Sequence, residues 1–513
     1  MATPNPTCPS FKKWRGVSFR NNQRLEDETK PPVFAPKFNV YVPPDLQDLL
    51  QTRPRRFSPD NLKEAVTAIK ANDKQQWLPA AQAIRKALSK EAKPPIQEVL
   101  DLGALPRLVS MMEYEAAWAV CNVASGNSAQ CTAVVEAGAV SPALKMLTAD
   151  ASNLREQAAW LLGNVAGDGA VLRDKCLEAG LLPPLLAAVA QEREVKPLRQ
   201  YTWLLLNVTR FKPRRKETLL EVLPTVARVT ADTSDDETLA DGMSALAHVA
   251  DDCNAEVVGR AREAVQRAGQ LVNDPATPKG VVLPAAKVLS ALCSGDEAAT
   301  QLVIDTGVLT AGYRRLLQGS DAPGLLREVC FALSNIAAGT QDQALAIKDA
   351  GLLPLITAVF KRCSTSDAVH REATWALSNM ATKGLPSLAL AVLEAGAALP
   401  LAEYLSSHAA KSQRTDAAAN VAAAEALLAM AQAGALDGGG AGVADTTTAV
   451  AAVNPAVAEY SSKGVYDTLQ STLGRGLLSG KALDYVERLI REFPPPSSPP
   501  PPPPTDSTAA SNA

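Results

Sequence analysis

EAAWAVCNVASG at residues 115–126, EQAAWLLGNVAGD at 156–168, RQYTWLLLNVTR at 199–210, REVCFALSNIAAG at 327–339 and REATWALSNMATKG at 371–384 are variants of one motif. Two degenerate copies fit between them, LADGMSALAHVADD at 239–252 and VVLPAAKVLSALCSGD at 281–296. The marker position falls at Trp118, Trp160, Trp203, Ser244, Lys287, Phe331 and Trp375, with gaps of 42, 43, 41, 43, 44 and 44 residues. A second marker four places on gives Asn122, Asn164, Asn207, His248, Ala291, Asn335 and Asn379. A period of ~40–47 residues belongs to stacked helical units of the HEAT or armadillo kind.

Each unit also carries a small-residue turn followed by an apolar run: EAGAVSPALKML (136–147), EAGLLPPLLAAV (178–189), DTGVLTAGYRRLL (305–317), DAGLLPLITAVF (349–360) and EAGAALPLAEYL (394–405). The Gly ends one helix, and Pro is tolerated early in the next. Within the motif helices Ala159, Leu162, Gly163 and Ala166 follow an i, i+3, i+4, i+7 pattern, which predicts a buried stripe. Thr374, Leu377, Ser378 and Ala381 repeat it. Trp160 and Asn164 are four apart and share the neighbouring stripe, as do Trp375 and Asn379.

Composition agrees with a helical stack. A 513-residue chain exceeds the ~250–300 residues at which single cores stop growing, a limit that repeats escape by burying themselves only against neighbours. Hydrophobic residues make up 47% and aromatics only 4%, and Ala and Leu dominate, which favours helix over strand. A formal net charge of −3 excludes a general nucleic-acid binder. The eight cysteines are scattered, without a C-x-x-C pair or a nearby His at metal-ligand spacing, so no metal site is expected and a reducing compartment is. His248, His370 and His408 sit in no hydrolase, metalloprotease or phosphate-loop motif, and neither catalysis nor a cofactor is expected. The opening MATPNPTCPSFKKWRG has no secretory apolar run. The run Leu388 to Leu405 is interrupted by Glu394, Pro400 and Glu403, and predicts core helices rather than a membrane span.

A single Trp in such a helix belongs in the core. Four of the six Trp, however, fall in one register, each with Asn at i+4, and Asn is costly to bury unpaired. The set predicts a displayed ladder. Stacked helices lie ~8–10 Å apart and an extended peptide advances ~3.3 Å per residue, so one repeat serves two or three peptide residues. Asn offers a donor and an acceptor to any peptide backbone. Slots between indoles suit the stems of Lys or Arg, with cation–π attraction of ~0.5–2 kcal/mol. Asp168, Asp241, Glu328 and Glu372 are the candidate carboxylates for choosing those cations, or else ordinary solvated charges.

At these residues the sequence resembles importin alpha, over about residues 60–493. QAIRKALSKEAKPPI (82–96) is similar to that family's first repeat. GNVAGD (163–168), FALSNIAAGTQDQ (331–343) and EYSSKGVYDTLQSTL with ALDYVERLIREF (459–493) are similar to its middle and final ones. The resemblance implies a right-handed armadillo-repeat superhelical solenoid of about ten repeats. It implies a nuclear-import adaptor that binds basic nuclear localisation signals, importin beta and a recycling exportin, and shuttles between cytoplasm and nucleus. By resemblance the major signal site is Trp118, Asn122, Trp160, Asn164, Asp168, Trp203 and Asn207, with Asp168 facing the key signal lysine. The minor site is Glu328, Phe331, Asn335, Glu372, Trp375 and Asn379. Phe331 replaces a Trp there, Ser244 and His248 replace an aromatic pair, Ala291 replaces an Asn, and Cys131 stands where the family has Thr. The chain is several residues shorter than the family pattern between Met112 and Glu113.

The resemblance also assigns the ends. Residues 1–57 form a mildly basic tail, in which Lys12, Lys13, Arg15, Arg20 and Arg24 are candidates for binding importin beta, and Arg53, Arg55 and Arg56 for autoinhibition. Its long basic clusters are absent, and a disordered tail is the alternative. The Pro-rich stretch after Phe493 predicts a disordered polyproline tail, and the Gly/Ala/Thr stretch 434–456 a loop insertion. The alternative to an import adaptor is an armadillo scaffold without transport activity.

Overall fold

The computed structural model describes residues 57–89, 93–112, 114–363, 366–409, 414–438 and 454–496. The tail residues named above, from Lys12 to Arg56, and everything after residue 496 lie outside the described residues. The described chain is all-α, with no strand among the described residues. It falls into two compact units, which meet in sequence between Thr306 and Gly307.

In the first unit the marker helices are Lys74–Leu88, Tyr114–Ala124, Ser152–Asp168, Val195–Arg210, Asp236–Asp252 and Lys279–Cys293, and each packs on the next. Between them run shorter helices such as Ser128–Glu136 and Val140–Met146, giving the three-helix armadillo-like unit. The second unit repeats the plan with Pro323–Ala338, Asp367–Ala381, Arg414–Gly438 and Gly480–Glu492, again packed in succession. The predicted stripes are the core: Ala159, Leu162, Gly163 and Ala166 are buried, as are Thr374, Leu377, Ser378 and Ala381.

Local chemistry sets the repeat boundaries. The glycine of each E-A-G-like turn has a left-handed backbone, with φ of 84° at Gly138, 91° at Gly180 and 70° at Gly396. A Cβ at these three would meet nothing within 4 Å, so conformation rather than space demands glycine. The helices that follow the marker helices start with matching capping boxes at Asn127/Gln130 and Thr340/Gln343. Proline sits in the first turn of Leu182–Gln191 and of Leu353–Arg362, where no N–H partner is lost.

One expectation needs adjustment. The stretch expected to loop out from residue 434 stays helical to Gly438. Asn454, which caps the next helix, holds it by donating to the Ala431 carbonyl at 2.8 Å, with its amide in the space a Cβ on Gly434 would fill. The same helix is long and apolar enough over Asp416–Leu436 to cross a bilayer, yet here it packs on Asp367–Ala381, Ala398–His408 and Gly480–Glu492. The run from Leu388 to Leu405 is split into two helices bent by 84°.

Candidate peptide-binding surface

Trp160, Asn164 and Asp168 follow one another at intervals of four on Ser152–Asp168, which brings them onto one helical face. All three are half-buried. Trp203, also half-buried, comes from the next marker helix, and its ring lies against the backbone of Gly163. A Cβ at 163 would stand 2.2 Å from Trp203 Cζ3, and one at Gly167 would stand 3.2 Å from the Asn207 amide carbon. The two glycines of GNVAG are thus the floor that receives the Trp and the Asn of the following repeat.

The asparagines tie neighbouring repeats together. Asn164 Nδ2 donates to the Cys121 carbonyl at 3.3 Å, Asn207 Nδ2 to Gly163 at 3.2 Å, and Asn379 Nδ2 to Ser334 at 2.9 Å. In each case the acceptor is the residue just before the corresponding Asn of the preceding repeat. A carbonyl only accepts, so the NH2 group must face the neighbour and Oδ1 is directed elsewhere. Asn122 is buried and donates instead to Ser89 Oγ at 3.1 Å.

Asp168 ends its helix, where the backbone dipole is already negative, so its carboxylate deepens a local negative potential. Ser128 Oγ donates to it at 2.8 Å, which fixes one oxygen and leaves acceptor capacity for a cation. Cys131 beneath it is fully buried, and burial with the Asp168 charge pushes its thiol up to about 12. It is a neutral filler and offers no hydroxyl at this place.

The ladder is not displayed throughout. Trp118 is only 7% exposed, and the Arg85 guanidinium lies 4.4 Å from its ring centroid. Asn207 is buried by its bond to Gly163. Beyond it Ser244 turns its hydroxyl back to the Ala240 carbonyl at 2.8 Å. His248 lies 3.2 Å from Thr209 Oγ1, and burial with the Arg214 and Lys287 charges holds it down at about 3, so it is a neutral imidazole. Lys287 is half-buried and Ala291 buried.

In the second unit the expectation of a displayed ladder is corrected more sharply. Glu328, Phe331, Asn335 and Glu372 are all buried. Glu328 forms an ion pair with Arg327, and Asn335 Nδ2 folds back onto the Phe331 carbonyl at 2.8 Å within its own helix. An amide whose donor closes on its own helix is not held out at the surface. Trp375 and Asn379 are half-buried, and remain the surface part of this segment. Neighbouring Arg371 pairs with the buried Asp416 at 3.0 Å.

Several residues that shape the surface are not among the repeated markers. Glu115, three before Trp118, binds Arg85, and Gly163, just before Asn164, seats Trp203. In the sequence Gly163 reads only as part of the buried stripe, and Glu115 carries no signal beyond its place in the motif.

Comparison with known proteins fits this geometry. The armadillo/beta-catenin-like repeat family matches residues 127–167 and 340–382, in each case from a capping box through to the next marker helix. These two stretches are similar to armadillo repeats. It is 34% identical over 313 residues to importin subunit alpha-1a of Oryza sativa subsp. japonica, which covers 58% of each chain. It is 32% identical over 331 residues to importin subunit alpha-3 of Arabidopsis thaliana, with 61% of this chain and 60% of that one covered. The chain spans less than two-thirds of the length of these relatives. An engineered protein solved by the Northeast Structural Genomics Consortium superposes with a TM-score of 0.69 at 22% identity, covering 84% of this chain and 98% of its own, a likeness of fold.

Proposed function

We propose that this protein is a nuclear-import adaptor that holds Lys/Arg-rich localisation signals on its armadillo ladder and links them to importin beta through the N-terminal tail. The observation that carries this reading is the trio Trp160, Asp168 and Trp203. Two half-buried indoles stand one repeat apart, with a hydrogen-bonded carboxylate at the end of the helix that bears the first. Indole faces attract cations by ~0.5–2 kcal/mol, and the aliphatic stem of Lys covers apolar ring surface. Asn164, half-buried and anchored by its donor, keeps an acceptor for a peptide N–H group, while Asn207, buried behind it, holds the repeats together. Asn122 and Trp118 extend this major segment. The second segment is built on Trp375 and Asn379, with Glu328, Phe331, Asn335 and Glu372 supporting it from below. The relatives named as importin alpha subunits add weight to a role in import. A recycling exportin as a further partner and shuttling between cytoplasm and nucleus belong to the same proposal.

The test is equilibrium binding of a fluorescent lysine-rich signal peptide to the full chain and to Asp168→Lys. We expect the variant to lose at least tenfold in affinity, the equivalent of ~1.4 kcal/mol, and wild-type binding to weaken with added salt. Equal affinities would remove Asp168 and the groove assignment with it. A scaffold without transport is the second reading, favoured by the burial of Glu328, Phe331, Asn335 and Glu372. It is preferred if the full chain binds signal peptide but not importin beta.

A further inference from the structure

At one junction of the first unit charges of opposite sign face each other and are segregated by repeat. Arg199, Lys212, Arg214 and Lys216 supply the cations, and Asp235, Glu237, Asp251, Asp252 and Glu256 the carboxylates. At the start of Asp236–Asp252, Arg199 pairs with Asp235 at 2.6 Å and with Glu237 at 2.9 Å. At its end Lys212 pairs with Asp251 at 2.8 Å and Arg214 with Asp252 at 2.9 Å. Lys216 reaches Glu256, on the next helix Asn254–Arg260, at 2.8 Å. Arg214 is the centre of the set, with a side chain only 7% exposed. Its Nε donates to the Thr209 carbonyl at 2.6 Å and its Nη2 to the Arg210 carbonyl at 3.3 Å. These are carbonyls that the end of Val195–Arg210 leaves without a helical partner. One guanidinium thus ties together the last turns of two successive marker helices.

The two junctions before this one carry an amide tie, from Asn164 to the Cys121 carbonyl and from Asn207 to the Gly163 carbonyl. Here His248 stands in place of the asparagine, and its ring nitrogen meets the Thr209 hydroxyl instead of a backbone carbonyl. We propose that this junction is an ionic joint, in which charge pairs centred on Arg214 hold the register that an asparagine amide holds at the preceding junctions, so that the joint loosens as ionic strength rises. An amide bond to a carbonyl acts at short range between neutral groups and is indifferent to salt. The pairs are not: Lys212 and Lys216 are 62% and 58% exposed, and partly exposed charges are screened as the Debye length falls from ~10 Å at 0.1 M to ~3 Å at 1 M salt. Arg214 keeps its place on the two carbonyls, while Asp251 and Asp252, at 22% and 32% exposure, remain open to counterions. The joint falls directly after Asn207, the last asparagine at a marker position in this unit, and its existence does not depend on what the ladder binds.

Hydrogen–deuterium exchange of the full chain, without ligand, at ~0.05 M and ~1 M sodium chloride tests this. In wild type we expect exchange in peptides from Asp236–Asp252 to accelerate about tenfold with salt, and in those from Ser152–Asp168 less than about twofold. Arg214→Gln, which keeps a donor for the carbonyls but loses the charge, should exchange at low salt about as fast as wild type does at high salt. The combined Asp251→Asn and Asp252→Asn variant should do the same, and decides the matter if Arg214→Gln does not fold. His248→Asn places an amide opposite the Leu206 carbonyl, the position before Asn207, and should make exchange in Asp236–Asp252 indifferent to salt. An equal response to salt in the two wild-type helices, or an undiminished response in these variants, would overturn the joint.

Discussion

Replacing Gly163 by Ala adds one methyl group at the place where a repeat receives the indole of the next. The new Cβ would stand 2.2 Å from Trp203 Cζ3, 2.5 Å from Cε3 and 3.1 Å from Cη2. Carbon atoms pack at about 3.5 Å, so the ring has to retreat by roughly 1.3 Å or swing off the backbone. Overpacking a buried site costs ~1–3 kcal/mol, while alanine in a helix interior returns ~1 kcal/mol relative to glycine. The net loss of stability is then about 0–2 kcal/mol, at the low end because the half-buried Trp203 has solvent to swing into. Ligand binding has no such compensation. Moving one wall of the Trp160–Trp203 slot forfeits most of the ~0.5–2 kcal/mol of cation–π and stem contact, or roughly tenfold in affinity for a lysine-rich peptide. Urea denaturation gives the first quantity, peptide anisotropy the second, and near-UV circular dichroism reports the indole environment. An alanine variant with wild-type peptide affinity and an unchanged indole spectrum would show that Gly163 does not seat Trp203. Gly259→Ala is the control, since a Cβ there meets nothing within 4 Å.

Asn207→Ala removes a buried donor to the Gly163 carbonyl and should lower the unfolding free energy by about 1–2 kcal/mol in urea. An unchanged midpoint would mean that the inter-repeat tie contributes nothing. His248 is held at about 3 against an ordinary value of 6.5, by burial first and then by Arg214, Lys287 and Arg210, with Asp251 opposing. Because the folded value lies below the unfolded one, its contribution is complete above pH 6.5 and is lost as pH falls from there towards 3. His248→Gln should flatten the decline of the thermal midpoint over that interval, and an identical slope refutes the assignment. Asp235 caps Asp236–Asp252 and is held at about 2, against 3.8, chiefly by hydrogen bonds from Arg199. Its contribution is complete above pH 3.8 and disappears as pH falls towards 2, so Asp235→Asn should lower the midpoint at pH 7 and weaken its acid dependence between pH 4 and 2. Equal acid slopes would show that the cap does not depend on the charge.

The fold was legible because two independent signals recur at one period. The buried stripe around Ala159 and Leu162 and the turn glycine at 138, 180 and 396 each have a local cause that survives in isolation, whereas the capping boxes at Asn127 and Thr340 came to light only in the structure. The site was legible only in part. Residue spacing places Trp160, Asn164 and Asp168 on one face, but it cannot say how deeply a face is sunk, because depth is decided by the side chains of the adjoining repeat. Trp118 is covered by Arg85, 33 positions earlier, and Asn335 is turned inward by a bond to Phe331 in its own helix. Neither follows from the motif in which the residue stands. Gly163 shows the converse case, in which a small residue looks like core filler and its missing side chain is what seats the neighbouring indole.

The asparagines explain how a packing ladder and the proposed binding ladder can share one motif. A helix stacked on its neighbour by apolar contact alone has no strong preference for one axial register, since Ala and Leu surfaces slide with little loss of buried area. One amide per repeat that donates to a specified carbonyl removes that freedom. The acceptors Cys121, Gly163 and Ser334 all occupy the position before the previous repeat's Asn, so each bond sets the same offset. Fixing the offset also fixes the spacing between successive indoles, and so the spacing of the ligand residues they can receive. The donor that sets the register determines which end of the amide is left over, and what is left is an acceptor, the group an extended peptide's N–H requires. Where the pattern is broken, at Asn335, the amide serves neither purpose: its Nδ2 closes on its own helix, and its Oδ1 is buried without a hydrogen bond. If the proposed recognition holds, register and recognition are coupled through a single side chain, and a substitution that loosens one loosens the other.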